Sequence, residues 1–129
     1  MKKSLVFLTK KNFNLYADSK YLSQIVGGVF SDNFNDIFTK QYEILIIYNT
    51  SFKSLLAILF SKLREKKVIY CFHEPFYSLE ELVQWKLKFF KYLVLNSIHF
   101  FSCRLINKAV VFSNYGYKKL KKIAPKNLK

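Results

Sequence analysis

Four short blocks of continuous apolar residues punctuate the chain, at residues 4–8, 44–48, 68–72 and 109–112. None shows the period-two alternation of a half-solvated sheet. Each therefore reads as a strand covered on both faces, the pattern of a buried parallel sheet. The stretches between them carry helical spacing. Residues 17–30 set Tyr21, Leu22, Ile25, Val26 and Val29 on one stripe, with Asp18 or Ser19 as N-cap and Gly27-Gly28 weakening the last turns. Residues 51–66 make the clearest helix, with Leu55, Leu56, Leu59, Phe60 and Leu63 as its expected buried face and cations at its C-terminal end. A long segment over 78–107 opens on a capping box of Ser78 and Glu81. It turns Lys86, Lys88 and Lys91 outward and Trp85, Phe89, Tyr92 and Leu93 inward, with a candidate break at Asn96-Ser97. A last helix over 114–123 opens on Ser113 and ends in paired lysines before Pro125. Strands alternating with helices predict a single α/β domain over residues 1–129, a Rossmann-like doubly wound parallel sheet.

Composition narrows this picture. A chain of 129 residues with 51% hydrophobic content can bury a core of its own, and three Gly and two Pro exclude collagen-like or low-complexity chains. The net charge is +14, and 20 of its 22 cations are Lys. Such a balance suits nucleic acid or anionic lipid. Lys, Phe, Ile, Tyr and Asn, however, supply 62 of the 129 residues, and their A/T-rich codons make genome base composition the simpler origin of the excess. Met1-Lys2-Lys3 starts like a signal peptide, but the apolar run stops at Thr9-Lys10-Lys11, short of the ~7–15 residues required. The longest uncharged apolar stretch, between Lys91 and Arg104, falls short of the ~20 residues a membrane span needs. Two cysteines in apolar segments, Cys71 and Cys103, cannot form a disulfide framework and point to a reduced, cytoplasmic chain.

Ligands of open parallel sheets bind beyond the carboxyl ends of the strands. The residues there are Thr9-Lys10-Lys11-Asn12, Asn49-Thr50-Ser51, His73-Glu74-Pro75 and Ser113-Asn114-Tyr115-Gly116. The third set carries the most chemistry. A buried strand ends in His73 and Glu74, and Pro75 biases Glu74 away from helical angles, fixing the direction of both side chains. A histidine there can donate or accept a proton at a sugar hydroxyl. His99, beside Phe100 and Phe101, reads instead as a packed or interfacial histidine, and Cys71 as inert. The spacing of His73, His99, Cys71 and Cys103 matches no metal site, so no structural zinc is expected. No Gly-rich phosphate loop occurs, and Ser113 lies in no GxSxG elbow.

The order of a strand ending in His73-Glu74-Pro75, a long helix, then Ala109-Val110-Val111-Phe112-Ser113 and a basic helix resembles the N-terminal domain of family-4-type glycosyltransferases of the GT-B fold. Tyr42-Glu43-Ile44-Leu45-Ile46-Ile47-Tyr48-Asn49 resembles an earlier strand of that family. The resemblance is strongest over residues 42–123. It implies transfer of a sugar from a nucleotide-sugar co-substrate to a saccharide or lipid-linked acceptor, with retention and without a metal or other cofactor. By the same resemblance, His73 and Glu74 are the candidate catalytic pair. Lys10, Asn49, Ser51, Pro75 and Ser113 are candidate substrate contacts, Ser113 with its helix N-terminus favouring a phosphate-bearing group. Two departures stand out. Thr9-Lys10-Lys11-Asn12-Phe13 replaces the family's Gly-rich loop, and no donor-binding domain follows within the sequence. The expected function is thus an acceptor-side half or fragment of a transferase, inactive without a separate donor-binding glycosyltransferase domain.

Two other readings compete. A non-catalytic basic module of the same fold could lie on an anionic membrane surface, peripherally on the inner face, through lysines at 86–91 and 118–122 interleaved with Trp85, Phe89, Phe90 and Tyr92. Nucleic-acid binding through net charge has no motif behind it, and the lysines are scattered over several segments.

Overall fold

In the computed structural model, which describes residues 3–9, 13–72, 83–84 and 88–123, five strands lie side by side. They are β1 (Ser4–Leu8), β2 (Val29–Ser31), β3 (Ile44–Tyr48), β4 (Lys67–Phe72) and β5 (Lys108–Val111). All pair in parallel, in the order β2-β1-β3-β4-β5. The helices among the described residues are α1 (Phe13–Ile25), α2 (Asp36–Thr39), α3 (Phe52–Leu63), α4 (Phe89–Leu105) and α5 (Asn114–Ile123). The result is a single α/β domain of Rossmann-like type, as the sequence predicts. β1 and β3 coincide with their apolar blocks, β4 begins one residue earlier, and β5 is displaced by one toward the N-terminus.

The sheet is apolar on both faces because both are covered. Leu5, Phe7, Leu45, Ile47, Val68, Tyr70 and Phe72 share one core with Ile37 of α2, Ala57 and Ile58 of α3, Cys103 of α4 and Leu120 of α5. Val6, Leu8, Ile46, Tyr48 and Cys71 share the other with Leu15 and Leu22 of α1 and Val26 just after it. Right-handed crossovers require this division, since the chain steps one way from β1 to β2 and the other way from β2 through β5. Each fully buried aliphatic side chain stabilises the fold by about 1.5–3 kcal/mol.

Three expectations need correction. The first helix begins at Phe13 rather than residue 17, and ends at Ile25. Asp18 and Ser19 are therefore interior positions rather than N-caps, and Tyr21, Ile25 and Val29 are exposed rather than inward. Gly27, with a positive φ of 61°, ends the helix. Gly28 then passes so close to β1 that an added Cβ would meet the Ser4 carbonyl oxygen at 2.7 Å. That crossing delivers the chain into β2, a strand absent from the sequence reading.

The second correction concerns α3. Its buried positions are Ser54, Ala57, Ile58 and Ser61; of the expected face, Phe60 packs half-buried against the core and Leu55 is half-buried, while Leu56, Leu59 and Leu63 point to solvent. Small side chains let the helix approach the sheet closely, so Leu56, Leu59 and Leu63 lie on the far side. Third, α4 runs unbroken through Asn96-Ser97. The Ser97 hydroxyl donates to the Leu93 carbonyl oxygen at 2.9 Å, which accommodates it inside the helix. In α4, Leu93 is exposed rather than inward. The Ser78–Glu81 box, Trp85 and Lys86 lie outside the described residues. Among the described residues no helix is long and apolar enough to cross a membrane.

Candidate functional site

Strand order reverses direction between β1 and β3, and at such a switch point the loops leaving two adjacent strands diverge and open a crevice. The residues there are Thr9 after β1 and Asn49-Thr50-Ser51 after β3. The Thr9 hydroxyl donates to the Asn49 carbonyl oxygen at 3.4 Å, tying the two strand ends together. Asn49 adopts a left-handed φ of 82°, a conformation Asn tolerates better than other residues with a Cβ. Its Oδ1 accepts from the Thr50 backbone N–H at 2.7 Å. The turn thus stops β3 and swings the chain into α3 within three residues.

Ser51 caps α3. Its Oγ accepts from the Ser54 N–H at 3.2 Å, and the Ser54 Oγ accepts from the Ser51 N–H at 3.0 Å, a reciprocal capping box. Beneath it, the Tyr70 hydroxyl in β4 donates to Thr50 Oγ1 at 2.8 Å and lies 3.4 Å from Ser54 Oγ. The strand end, the cap and the core are therefore one hydrogen-bonded unit.

Asn49→Ala should cost about 1–2 kcal/mol, because alanine is strained at positive φ and leaves the Thr50 N–H without this acceptor. Asn49→Gly should cost less, since glycine removes the strain. Urea denaturation midpoints of the two variants check this; the opposite order would mean that the side-chain bond outweighs the backbone.

Ser113 follows β5 by two residues and opens α5, its Oγ accepting from the Gly116 N–H at 3.0 Å. It is exposed and stands two strands from Asn49, roughly 10 Å away by ordinary strand spacing. Of the predicted contacts, Asn49 and Ser51 therefore come together, while Ser113 sits at the same edge across β4. Lys10, His73, Glu74 and Pro75 lie outside the described residues. Thr50 and Tyr70 were not among the predicted site residues. The signal for Tyr70 was available: a tyrosine in an otherwise aliphatic strand needs a partner for its hydroxyl.

Other titratable groups nearby are muted. Burial pushes the Cys71 and Cys103 thiols up to about 12 and both cysteines are free, so neither offers a thiolate near neutrality. The Tyr48 phenol, beside this edge, is raised to about 12, first by burial and then by Cys71 and Asp18. His99 is fully buried against Phe72, with ring centroids 5.3 Å apart, and is a packed histidine.

A cavity of about 450 Å³ opens at the opposite edge, lined by residues that include Lys3, Ser4, Gly27, Gly28 and Lys40. One of its two cations, Lys40, is paired with Asp36 at 2.7 Å, and the Gly27 and Gly28 amides are bonded to Gln24 and Ser23 carbonyls. Most of the groups that could hold an anion there are already engaged, and the cavity opens at the amino ends of the strands, which leaves the carboxyl edge as the better candidate. Comparison with protein-family models, curated proteins and solved structures returns no match for this chain.

Proposed function

We propose that the chain is the acceptor-side domain of a retaining glycosyltransferase, which works with a donor-binding domain to move a sugar from a nucleotide-sugar to a saccharide or lipid-linked acceptor. The observation that supports this reading is the order of elements at one sheet edge. β3 is followed by Asn49-Thr50-Ser51, β4 runs to Phe72 with His73-Glu74-Pro75 next in sequence, and β5 is followed by Ser113 capping a basic helix. That is the sequence of parts the resemblance calls for. On this reading His73 polarises or positions a sugar hydroxyl, and Glu74 orients it. Asn49 and Ser51 shape the floor of the crevice through their backbone, since their side chains are committed to the turn and the cap. The setting that goes with it is cytoplasmic, where nucleotide-sugars are the co-substrates and neither metal nor other cofactor takes part.

Amide chemical-shift titration with a panel of mono- and disaccharides tests the proposal. Shifts should concentrate at Thr9, Asn49–Ser51 and Ser113, and His73→Ala should weaken the apparent affinity about tenfold, as loss of a charged or buried hydrogen-bond partner does. Absence of shifts at this edge for every saccharide would refute it. Robust sugar transfer by the chain alone would refute the need for a donor-binding partner.

A further inference from the structure

We propose that the outer surface of α3 and α4 is a docking face for an anionic lipid bilayer, held flat against the headgroups. The geometry begins with the small-residue contact of α3. Because Ser54, Ala57 and Ser61 take the sheet side, positions 52, 56, 59 and 63 form a straight outward stripe. Phe52 is 64% exposed and Leu63 83%. α4 packs beside α3 in the same layer, over the same sheet face. Its inward residues are Ile98, His99, Ser102 and Cys103, which turns Phe90, Val94 and Phe101 outward; Phe90 is 78% exposed. Two adjacent helices in one layer thus present parallel apolar stripes in one direction. Scattered exposed apolar residues are ordinary on soluble proteins, but a contiguous face of this kind marks an interaction surface.

Charge selects the occupant. Neither α3 nor α4 contains an Asp or Glu, while Lys53, Lys62, Lys91 and Arg104 lie within them and Arg64 and Lys88 flank them. The acid nearest along the chain, Glu65, is followed at once by Lys66-Lys67. Arg104 lies over the Phe100 ring at 4.5 Å and Lys91 over Tyr92 at 5.7 Å. Two cations of α4 therefore sit over aromatic rings at the border of the stripe, an arrangement that suits a headgroup boundary. A second copy would bring a net +14 and the same cations against this face, which repels it; anionic lipid complements both the stripes and the charge. This surface shares Phe90, Lys88 and Lys91 with one lysine cluster that the sequence suggests for membrane contact, adds the stripe of α3 to it and leaves out the cluster at 118–122; it does not depend on the sugar-transfer reading.

Vesicle flotation of the full chain decides the matter, using phosphatidylcholine alone and phosphatidylcholine with ~30 mol% phosphatidylglycerol. The chain should float with the anionic vesicles and much less with the neutral ones. The double change Leu63→Ser and Phe90→Ser should reduce partitioning about tenfold or more, with circular dichroism unchanged because both residues are exposed; Phe101→Ser is the independent variant. Equal binding to neutral vesicles, or no response to either variant, overturns the proposal. So does loss of binding in Lys118→Gln, Lys121→Gln, Lys122→Gln with the α3 and α4 variants unaffected, which would put the contact on α5. Self-association in sedimentation that these serine variants abolish would assign the face to a second copy and equally overturn it.

Discussion

Tyr70→Ala should lower the unfolding free energy by about 3–5 kcal/mol, the range for removing a large aromatic from a core. Tyr70 lies in β4, which is hydrogen-bonded on both sides, to β3 and to β5. Its side chain is fully buried, and its ring sits 4.3 Å from that of Phe72. Truncation would leave a cavity between β4 and the helices over it, and would remove the donor that reaches Thr50 Oγ1 at 2.8 Å. Since domains of this kind hold about 5–15 kcal/mol in total, the loss is a large share. Tyr70→Phe isolates the polar part and should cost about 1 kcal/mol. Combined with Thr50→Val, the two losses should be less than additive, because each removes the same bond. Urea denaturation of the wild-type protein and the four variants measures all of this. A loss below about 1 kcal/mol for Tyr70→Ala would mean that β4 does not organise the core.

The same residue shows where the sequence was informative and where it was not. β1 and β3 were legible to the residue because strands covered on both faces must be apolar at every position, and little else in a short block looks like that. β2 carries no such block. Val29-Phe30-Ser31 is three residues at a sheet edge with Val29 exposed, so it was absorbed into the helix before it. The face of α3 was misread for a different reason. Hydrophobic periodicity identifies a stripe but not which way it points, and the assumption that the largest residues go inward fails when a helix needs small ones to come close. At the edge where ligands of such sheets bind, Ser51 and Ser113 were legible as hydroxyls at helix starts. What they bond to followed from that, and it was their own helices. The tie from Tyr70 to Thr50 was not legible, because it depends on the register that sets Tyr48 beside Cys71. Nothing in the spacing of residues 50 and 70 encodes that alignment.

Acid should destabilise the protein through His99. The imidazole is fully buried in the core between α4 and β4, 5.3 Å from Phe72 and 6.5 Å from Tyr70 between ring centroids, and burial lowers its pKa from 6.5 to about 4. Between those values the unfolded chain binds a proton that the folded chain does not. Stability therefore rises with pH across the window. The contribution is complete above about pH 6.5 and falls away as pH drops toward 4, to a total of about 3 kcal/mol. Asp36 acts in the same direction but lower down. Its carboxyl is held below 3.8, first by the hydrogen bond from Lys40 and then by that from Ser31, so its share is lost only as pH falls through that still lower value. Urea midpoints measured from pH 7.5 to 4 should decline across the His99 window, and His99→Leu, close in size and without a titrating group, should flatten the decline. A His99→Leu protein that loses stability over the same interval as the native one would place the acid sensitivity elsewhere.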